Sequence, residues 1–387
     1  MREACSYNFN MTKQYDVAIL GSGVVGQALA LLLARDRLRV ALVQRPAPPS
    51  ATPDIRAYAL NSASRRLLDE LRVWPSSAEA SPPRVTPVRC IWVAEPQPDK
   101  PASARFDASA AEPLSWIVDV PALEATLARA VGFQPGIEVL AERPQAALTV
   151  ICEGKRSLSR DAAGFEFDTK PYPQTAVAAR FATERPHGGV ARQWFIDGDI
   201  LALLPLEGEH GHAVALVWSV PHARAGELLA GPHEALAQAV EHACDHALGR
   251  MQMQGQPAGW PLELSRARRW VQPGLALAGD AAHAMHPLAG QGLNVGLADA
   301  AELARVLRER EYWRSLGDLK LLRRYERARQ AHVQTLSWAT DNLYGLFGHD
   351  DSRIQTLRRW GLRAFDRMTQ LKDWTARQAG GTAPARP

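Results

Sequence analysis

The four cysteines, Cys5, Cys90, Cys152 and Cys244, stand far apart, and no CxxC pair occurs. That excludes a zinc ribbon and a disulfide scaffold, and it suits a reducing compartment, read here as the cytoplasm. None of the eleven histidines falls in an HExxH pattern, so no metal site is read. Charge of either sign is barely in excess: the formal net charge is +4 and the isoelectric point about 9.0. With no Lys/Arg block and no aromatic RNA-binding motif, nucleic acid is set aside as a partner. Long apolar runs are missing too. The longest, near residues 24–34, is too short to span a bilayer and is interrupted by Gln27. The first ten residues carry no signal-peptide core, and Met11 reads as an alternative start just before the first strand. A soluble protein is expected, with 387 residues that suffice for two cores or for one large α/β unit with an inserted second sheet.

What the chain does contain is concentrated at residues 279–294, GDAAHAMHPLAGQGLN. An apolar run, Leu275-Ala276-Leu277-Ala278, precedes it and reads as a buried strand. A helical pattern follows at Leu297, Ala300, Ala301, Leu303, Ala304 and Leu307. An acid at a strand end, a Gly/Pro-punctuated turn and a Gly-rich helix start make a ligand site. Asp280 is suited to accept hydrogen bonds from a sugar-like chain. Free N–H groups around Gly290, Gln291 and Gly292 face whatever precedes the helix, where the dipole favours negative charge. His283 and His286 read as part of this turn rather than as metal ligands.

At the amino end, residues 15–20 (YDVAIL) form a short β-rich run, followed at once by Gly21, Ser22, Gly23, Val24, Val25 and Gly26. A helix through residues 28–34 and a strand at 40–43 complete a βαβ unit with GxGxxG in its first turn, the dinucleotide fingerprint. Its glycines allow a tight turn and close approach of the backbone to a pyrophosphate. One element departs. The fingerprint calls for Asp or Glu at the end of the second strand, and this chain has Gln44, whose neutral amide makes a weaker bond to a ribose hydroxyl. Arg45 beside it either reaches a phosphate or is solvated.

On these two motifs the chain resembles the flavin-dependent aromatic hydroxylases of the para-hydroxybenzoate hydroxylase type. Within them it is most similar to the ubiquinone-biosynthesis hydroxylases acting on 2-polyprenylphenols. The resemblance runs from Tyr15 to about Gln378. It implies an α/β fold: a Rossmann-like FAD-binding domain with an inserted, mainly antiparallel β-sheet substrate domain and a C-terminal helical region. The expected parts are 14–165 and 265–345 for the FAD-binding domain, 166–264 for the substrate sheet and 346–387 for the helical tail. The cofactor implied is noncovalent FAD. Gly21 to Gly26 would hold the pyrophosphate and Asp280 the ribityl chain. Pro287, Gly290 and Gln291, as the catalytic positions, would face the isoalloxazine together with Gly292, Leu293 and Asn294. A reduced flavin carries negative charge along its N1–C2=O edge, which suits a helix start.

Arg56, in the run DIRAYAL, matches a family arginine that helps to hold the flavin; alternatively it caps the helix expected at 62–71. At the start of the helix over 120–131 the family carries a polar side chain, and Val120 stands there. Residues 136–154 are shorter than the family's segment, which includes a hairpin walling the adenine side. The strand at 147–151 ends in Glu153-Gly154 rather than Asp-Gly, while Arg156, Ser157 and Arg160 still match. Strands at 177–181, 190–195, 200–205 and 213–220, with helical cover over 225–248, read as the substrate sheet. Arg180, Trp194, Phe195, Leu203, Leu204 and Pro205 are expected to line a pocket, unless the two aromatics are sheet core. Basic, amphipathic residues 354–374 suit docking on the chain's own domain or on a partner subunit, and less so an anionic membrane surface.

The implied activity is a monooxygenase in which NAD(P)H reduces FAD and a flavin C4a-hydroperoxide transfers oxygen to a phenol ring. A hydrophobic phenolic substrate is the expected partner, with a quinone-biosynthesis complex, membrane-surface contact and a homo-oligomer as further possibilities. Two alternatives stay open. One is a paralogue with weak FAD binding that acts as a binding or assembly protein in quinone biosynthesis; the other is a hydroxylase of a soluble aromatic.

Overall fold

The structure, a computed structural model, describes residues 15–45, 54–75, 84–95, 102–208, 210–284 and 292–347. Strand β1 (Tyr15–Leu20), helix α1 (Val24–Arg35) and strand β2 (Val40–Val43) form the first βαβ unit. Then come β3 (Ala57–Leu60), α2 (Ser62–Glu70), β4 (Val85–Val88), β5 (Cys90–Glu95), β6 (Ala102–Asp107), β7 (Ser115–Asp119) and α3 (Val120–Gly132). Strands β8 (Ile137–Leu140) and β9 (Ala146–Ile151) lead to the short helix α4 (Leu158–Ala162). The middle of the chain is β10 (Phe167–Thr183), β11 (Val190–Ile196), β12 (Asp199–Leu206), β13 (Ala213–Pro221), α5 (His222–Ala230), α6 (His233–Ala243) and β14 (Met251–Ala267). It closes with β15 (Val271–Gln272), β16 (Leu275–Leu277), a 3-10 turn at Gly279–Ala281, β17 (His283–Ala284), α7 (Gly292–Arg308) and α8 (Leu319–Phe347).

Three sheets result. Six strands in the order β15-β16-β9-β1-β2-β8 make the Rossmann-like sheet, parallel except for β15 at one edge. Helix α1 is apolar nearly all round because it is covered on several sides, lying against α3 and α7 as well as the sheet. Its Ala28, Leu29, Ala30 and Leu33 are fully buried. Eight strands in the order β17-β14-β10-β13-β12-β11-β5-β6 make the second sheet, antiparallel except where β11 runs beside β5. Strands β3, β7 and β4 form a third, small sheet that packs on the second through Val88 and Ile117 against Ala191, Leu206, Ala213 and Ala215.

Several expectations are corrected here. Strands β5 and β6 lie within residues 14–165 yet add to the substrate sheet. Strand β14 is not among the strands expected from the sequence, and Gly255, Pro257, Gly259 and Pro261 punctuate it. Its pairing to β10 is interrupted by register shifts, and on its other side β17 meets only Ser265 and Arg266, so those prolines need not donate to a neighbour. The single helical cover divides into α5 and α6 at Gly231-Pro232. The short 136–154 segment crosses the parallel sheet in residues 141–145, and Leu140 and Ala146 close over Tyr15, Ala18 and Ala41. Residues 346–387, expected as a helical tail, lie outside the described residues beyond Phe347.

Candidate active site

The carboxyl ends of β1, β2, β9 and β16 converge on one edge of the parallel sheet, where ligands of such folds bind. Each glycine of the 21–26 turn answers a separate steric demand. At Gly21 (φ +112°) a Cβ would come within 2.5 Å of the Cys152 carbonyl oxygen, and at Gly26 within 2.0 Å of the Gly21 carbonyl oxygen. At Gly23 a Cβ would meet nothing within 4 Å, so open space lies in front of the α1 start. No side chain caps that helix and no acid sits in its first turn. Its amides and dipole are left for an anion, and the turn fits a pyrophosphate. Ser22 contributes its carbonyl oxygen, which accepts the buried Gln27 amide at 2.7 Å.

Val25 ties this turn to the second motif. Its side chain lies 3.4 Å from where a Cβ on Gly279 would stand and 2.7 Å from one on Gly296. The α1 start, the Gly279 turn and α7 therefore meet around one valine, with Val24 buried beside it. Asp280 is held by the 3-10 turn with its side chain open to the cleft, although protein surrounds much of it. Desolvation raises its pKa above the usual carboxylate value, against the opposing charges of His283, Lys155 and Arg56. Tyr58 lies in the same electrostatic neighbourhood, its phenol pKa raised chiefly by burial and lowered by Arg56.

Gln44 ends β2, exposed, with its N–H bonded to the Leu140 carbonyl at 2.9 Å. Arg45 is not simply solvated. Its Nη2 reaches Glu153 at 3.3 Å and Ser159 Oγ at 3.1 Å, linking the ends of β2 and β9. Burial would raise the Glu153 pKa, but bonds from Ser157 and Ser159 and the charge of Arg45 hold it below the usual range. Ser157 also caps α4, and Arg160 donates to the carbonyls of Lys155 and Ala281. These matched residues brace the site from beneath.

Arg56 forms a paired bond to Asp54, 3.0 Å from Nε and 2.7 Å from Nη2, with Glu124 at 3.5 Å. The Asp54 carboxylate raises its pKa further. Arg180 donates to the carbonyls of Ile55 and Arg56 and pairs with Asp119 at 2.9 Å, so the substrate sheet fixes the segment carrying Arg56 that leads into β3. Asp119 also caps α3, which begins at the fully buried Val120. Asn294 spends its amide on structure. Its Oδ1 accepts from Asn61 N–H at 2.9 Å and Ser64 Oγ at 2.7 Å, and its Nδ2 donates to Ala59. Gly292 opens α7 with open space at its Cβ position, and Leu293 packs on the core. Pro287, Gly290 and Gln291 lie outside the described residues, as does the basic 354–374 segment.

The expected substrate face needs correction, because strand side chains alternate. Trp194, Leu203 and Pro205 point to the side covered by α5 and α6, where Trp194 is 2% exposed beside Trp92. Arg180, Phe195 and Leu204 point the other way. On that side Ala178, Val217, Ala202 and Gln193 stand in register across β10, β13, β12 and β11, all half-buried. Tyr172, Ala176 and Leu262 pack beside them. The result is a half-buried, mostly apolar face on the side from which Arg180 reaches the Arg56 carbonyl.

Sequence reasoning missed a buried network behind Asp280. Asp299, fully buried on α7, accepts from Gly279 N–H (3.0 Å), His283 Nε2 (2.6 Å) and Arg329 Nε (2.7 Å). The available signal was an acid at position 299 inside the apolar stripe of α7, which demands a partner. The i, i+4 pair His242 and His246 also escaped the sequence reading; their rings stand edge to face. Among the described residues no group of three or more His, Cys, Asp or Glu side chains forms a metal site.

A glycine turn at an uncapped helix start and the acid-bearing Asp280 turn meet at one edge of the parallel sheet, and sequence similarity makes the chain a flavin-dependent monooxygenase. The chain belongs to the FAD binding domain family, whose model matches residues 14–126 and 138–340. It is 32% identical to "Ubiquinone hydroxylase UbiL" of Rhodospirillum rubrum, over 97% of this chain and 91% of that one. It is 30% identical to "3-demethoxyubiquinol 3-hydroxylase" of Escherichia coli, over 96% and 100% respectively. The fold matches p-nitrophenol 4-monooxygenase PnpA of Pseudomonas putida with a TM-score of 0.74 at 15% identity, covering 96% of this chain and 100% of that one. FAD is thus the cofactor. No helix among the described residues is long and apolar enough to cross a membrane.

Proposed function

We propose that the chain hydroxylates the phenolic ring of a polyprenylated precursor of ubiquinone, with NAD(P)H as reductant and O2 as oxidant. The observation that carries this reading is the half-buried face of Ala178, Ala202 and Val217 on the substrate sheet, on the side away from the helical cover. Its apolar side chains suit contact with an apolar chain, and the ubiquinone-hydroxylase names of two relatives point to the same substrate class. FAD supplies the oxygen-activating chemistry when bound. The residues named here bind, orient and exclude water. The α1 start holds the pyrophosphate, Asp280 accepts from the ribityl hydroxyls, and Arg180 keeps the Arg56 segment against the substrate sheet. Pro287, Gly290 and Gln291 remain the candidates for the isoalloxazine face. No protein nucleophile is required. The basic segment 354–374 is the candidate for contact with a membrane or with a quinone-biosynthesis complex.

The test supplies purified protein with NADH or NADPH and 2-polyprenylphenols of graded tail length under 18O2. The expected result is tail-dependent consumption of reductant and a product carrying one labelled oxygen. Reductant oxidation without labelled product from any prenylated phenol, or a preference for tail-less phenols, refutes the substrate class.

A further inference from the structure

Asp299 takes no part in any contact assigned above to cofactor or substrate, yet it is the most heavily bonded buried acid near the cleft. Its three partners come from three places in the chain: Gly279 at the start of the 3-10 turn, His283 after it, and Arg329 on α8. Arg329 also donates to the Val295 carbonyl of α7 at 3.2 Å. The His283 ring lies 4.9 Å from that of Trp270, and the Trp270 backbone N–H donates to Glu326 of α8. Tyr325 of α8 donates to the Leu277 carbonyl at 2.8 Å. Helix α8 therefore holds the strand before the Asp280 turn directly and reaches Gly279 and His283 through Asp299 of α7.

A buried charge held only for stability is replaceable by apolar packing with little loss. What packing cannot supply is a fixed acceptor for the Gly279 N–H, which stands at φ +63° immediately before Asp280. We infer that Asp299, held by Arg329 and His283, is a positioning residue for FAD: it fixes the backbone on both sides of Asp280 and so aims that carboxylate at the ribityl chain. This rests on the reading of Asp280 as the ribityl contact.

The test compares full-length apo-protein with its Asp299→Asn, Asp280→Ala and combined variants by FAD fluorescence titration, with visible circular dichroism of the bound flavin. Asp299→Asn should weaken FAD binding by about 10- to 100-fold and alter the flavin dichroism, while the far-ultraviolet spectrum stays that of the wild type. In the Asp280→Ala background the same substitution should cost less than about 3-fold, because its effect passes through Asp280. His283→Phe keeps an aromatic ring beside Trp270, removes one bond to Asp299, and should shift affinity in the same direction; it serves if Asp299→Asn does not fold. Folded variants with wild-type affinity and dichroism, or equal losses in both backgrounds, reduce Asp299 to a structural residue. Wild-type apo-protein that itself takes up no FAD overturns the underlying cofactor reading before any variant is compared.

Discussion

Replacing Asp280 by Ala should move cofactor affinity and apo-protein stability in opposite directions. With FAD bound, the carboxylate accepts charge-assisted bonds worth about 1.5–3 kcal/mol, so the dissociation constant should rise roughly 10- to 150-fold. Without FAD the same carboxylate is a burden. Desolvation lifts its folded-state pKa above the unfolded value near 3.8, so ionising it weakens the folded state as the pH rises through that interval. At pH 7 the full penalty applies, reduced by its opening to solvent, and the Ala variant should melt no lower than the wild-type apo-protein. The wild type should also lose FAD affinity on acidification, starting at a pH above the usual carboxylate range, whereas the variant should be flat there. Fluorescence titration across pH and apo-protein melting check both halves. Unchanged FAD affinity would mean that the wrong acid is assigned. A drop of many degrees in apo melting would mean that the carboxylate supports the fold rather than the ligand.

Gln44→Glu should tighten FAD binding by about 1 kcal/mol, roughly 5-fold in titration, because a carboxylate accepts ribose hydroxyls more strongly than an amide; weaker binding would place the adenosine elsewhere. Gly296→Ala drives a methyl to 2.7 Å from Val25 and should destabilise by about 1–3 kcal/mol of overpacking less about 1 kcal/mol of helix propensity. Val25→Ala in the same chain should restore the melting temperature, and no rescue would refute the wedge. Burial pushes the Asp299 pKa up, but His283 and Arg329 outweigh it and hold it below 3.8. Its stabilisation is therefore complete above the unfolded value and lost as the pH falls through the lower folded one. Asp299→Asn should accordingly melt lower than the wild type at pH 7 and show a shallower decline below about pH 4, which melting curves across pH would reveal.

The cofactor half of the molecule was legible because its signals are local. The 21–26 turn and the 279–294 run carry their steric reasons within a few residues. Long-range pairing was not. Strand β5 reaches the substrate sheet through a parallel partner a hundred residues away, and Arg329 meets Asp299 across thirty. The pocket expected from Trp194, Leu203 and Leu204 failed for a simpler reason: consecutive strand residues face opposite sides, and only the sheet's neighbours decide which side is core. Asn294 shows a subtler limit. The motif marks its place at the start of α7, but the bonds to Asn61, Ser64 and Ala59 become visible only once α2 is seen to pack there.

The central claim is that the Gly21 turn and the Asp280 turn together hold FAD without a covalent link. The most direct measurement is the absorption spectrum of the purified full-length chain, with flavin stoichiometry taken before and after denaturation. The account expects a yellow protein with about one FAD per chain, all of it released into the supernatant on unfolding. Colourless protein that takes up no FAD at micromolar concentration, or flavin that stays with the denatured chain, would contradict it.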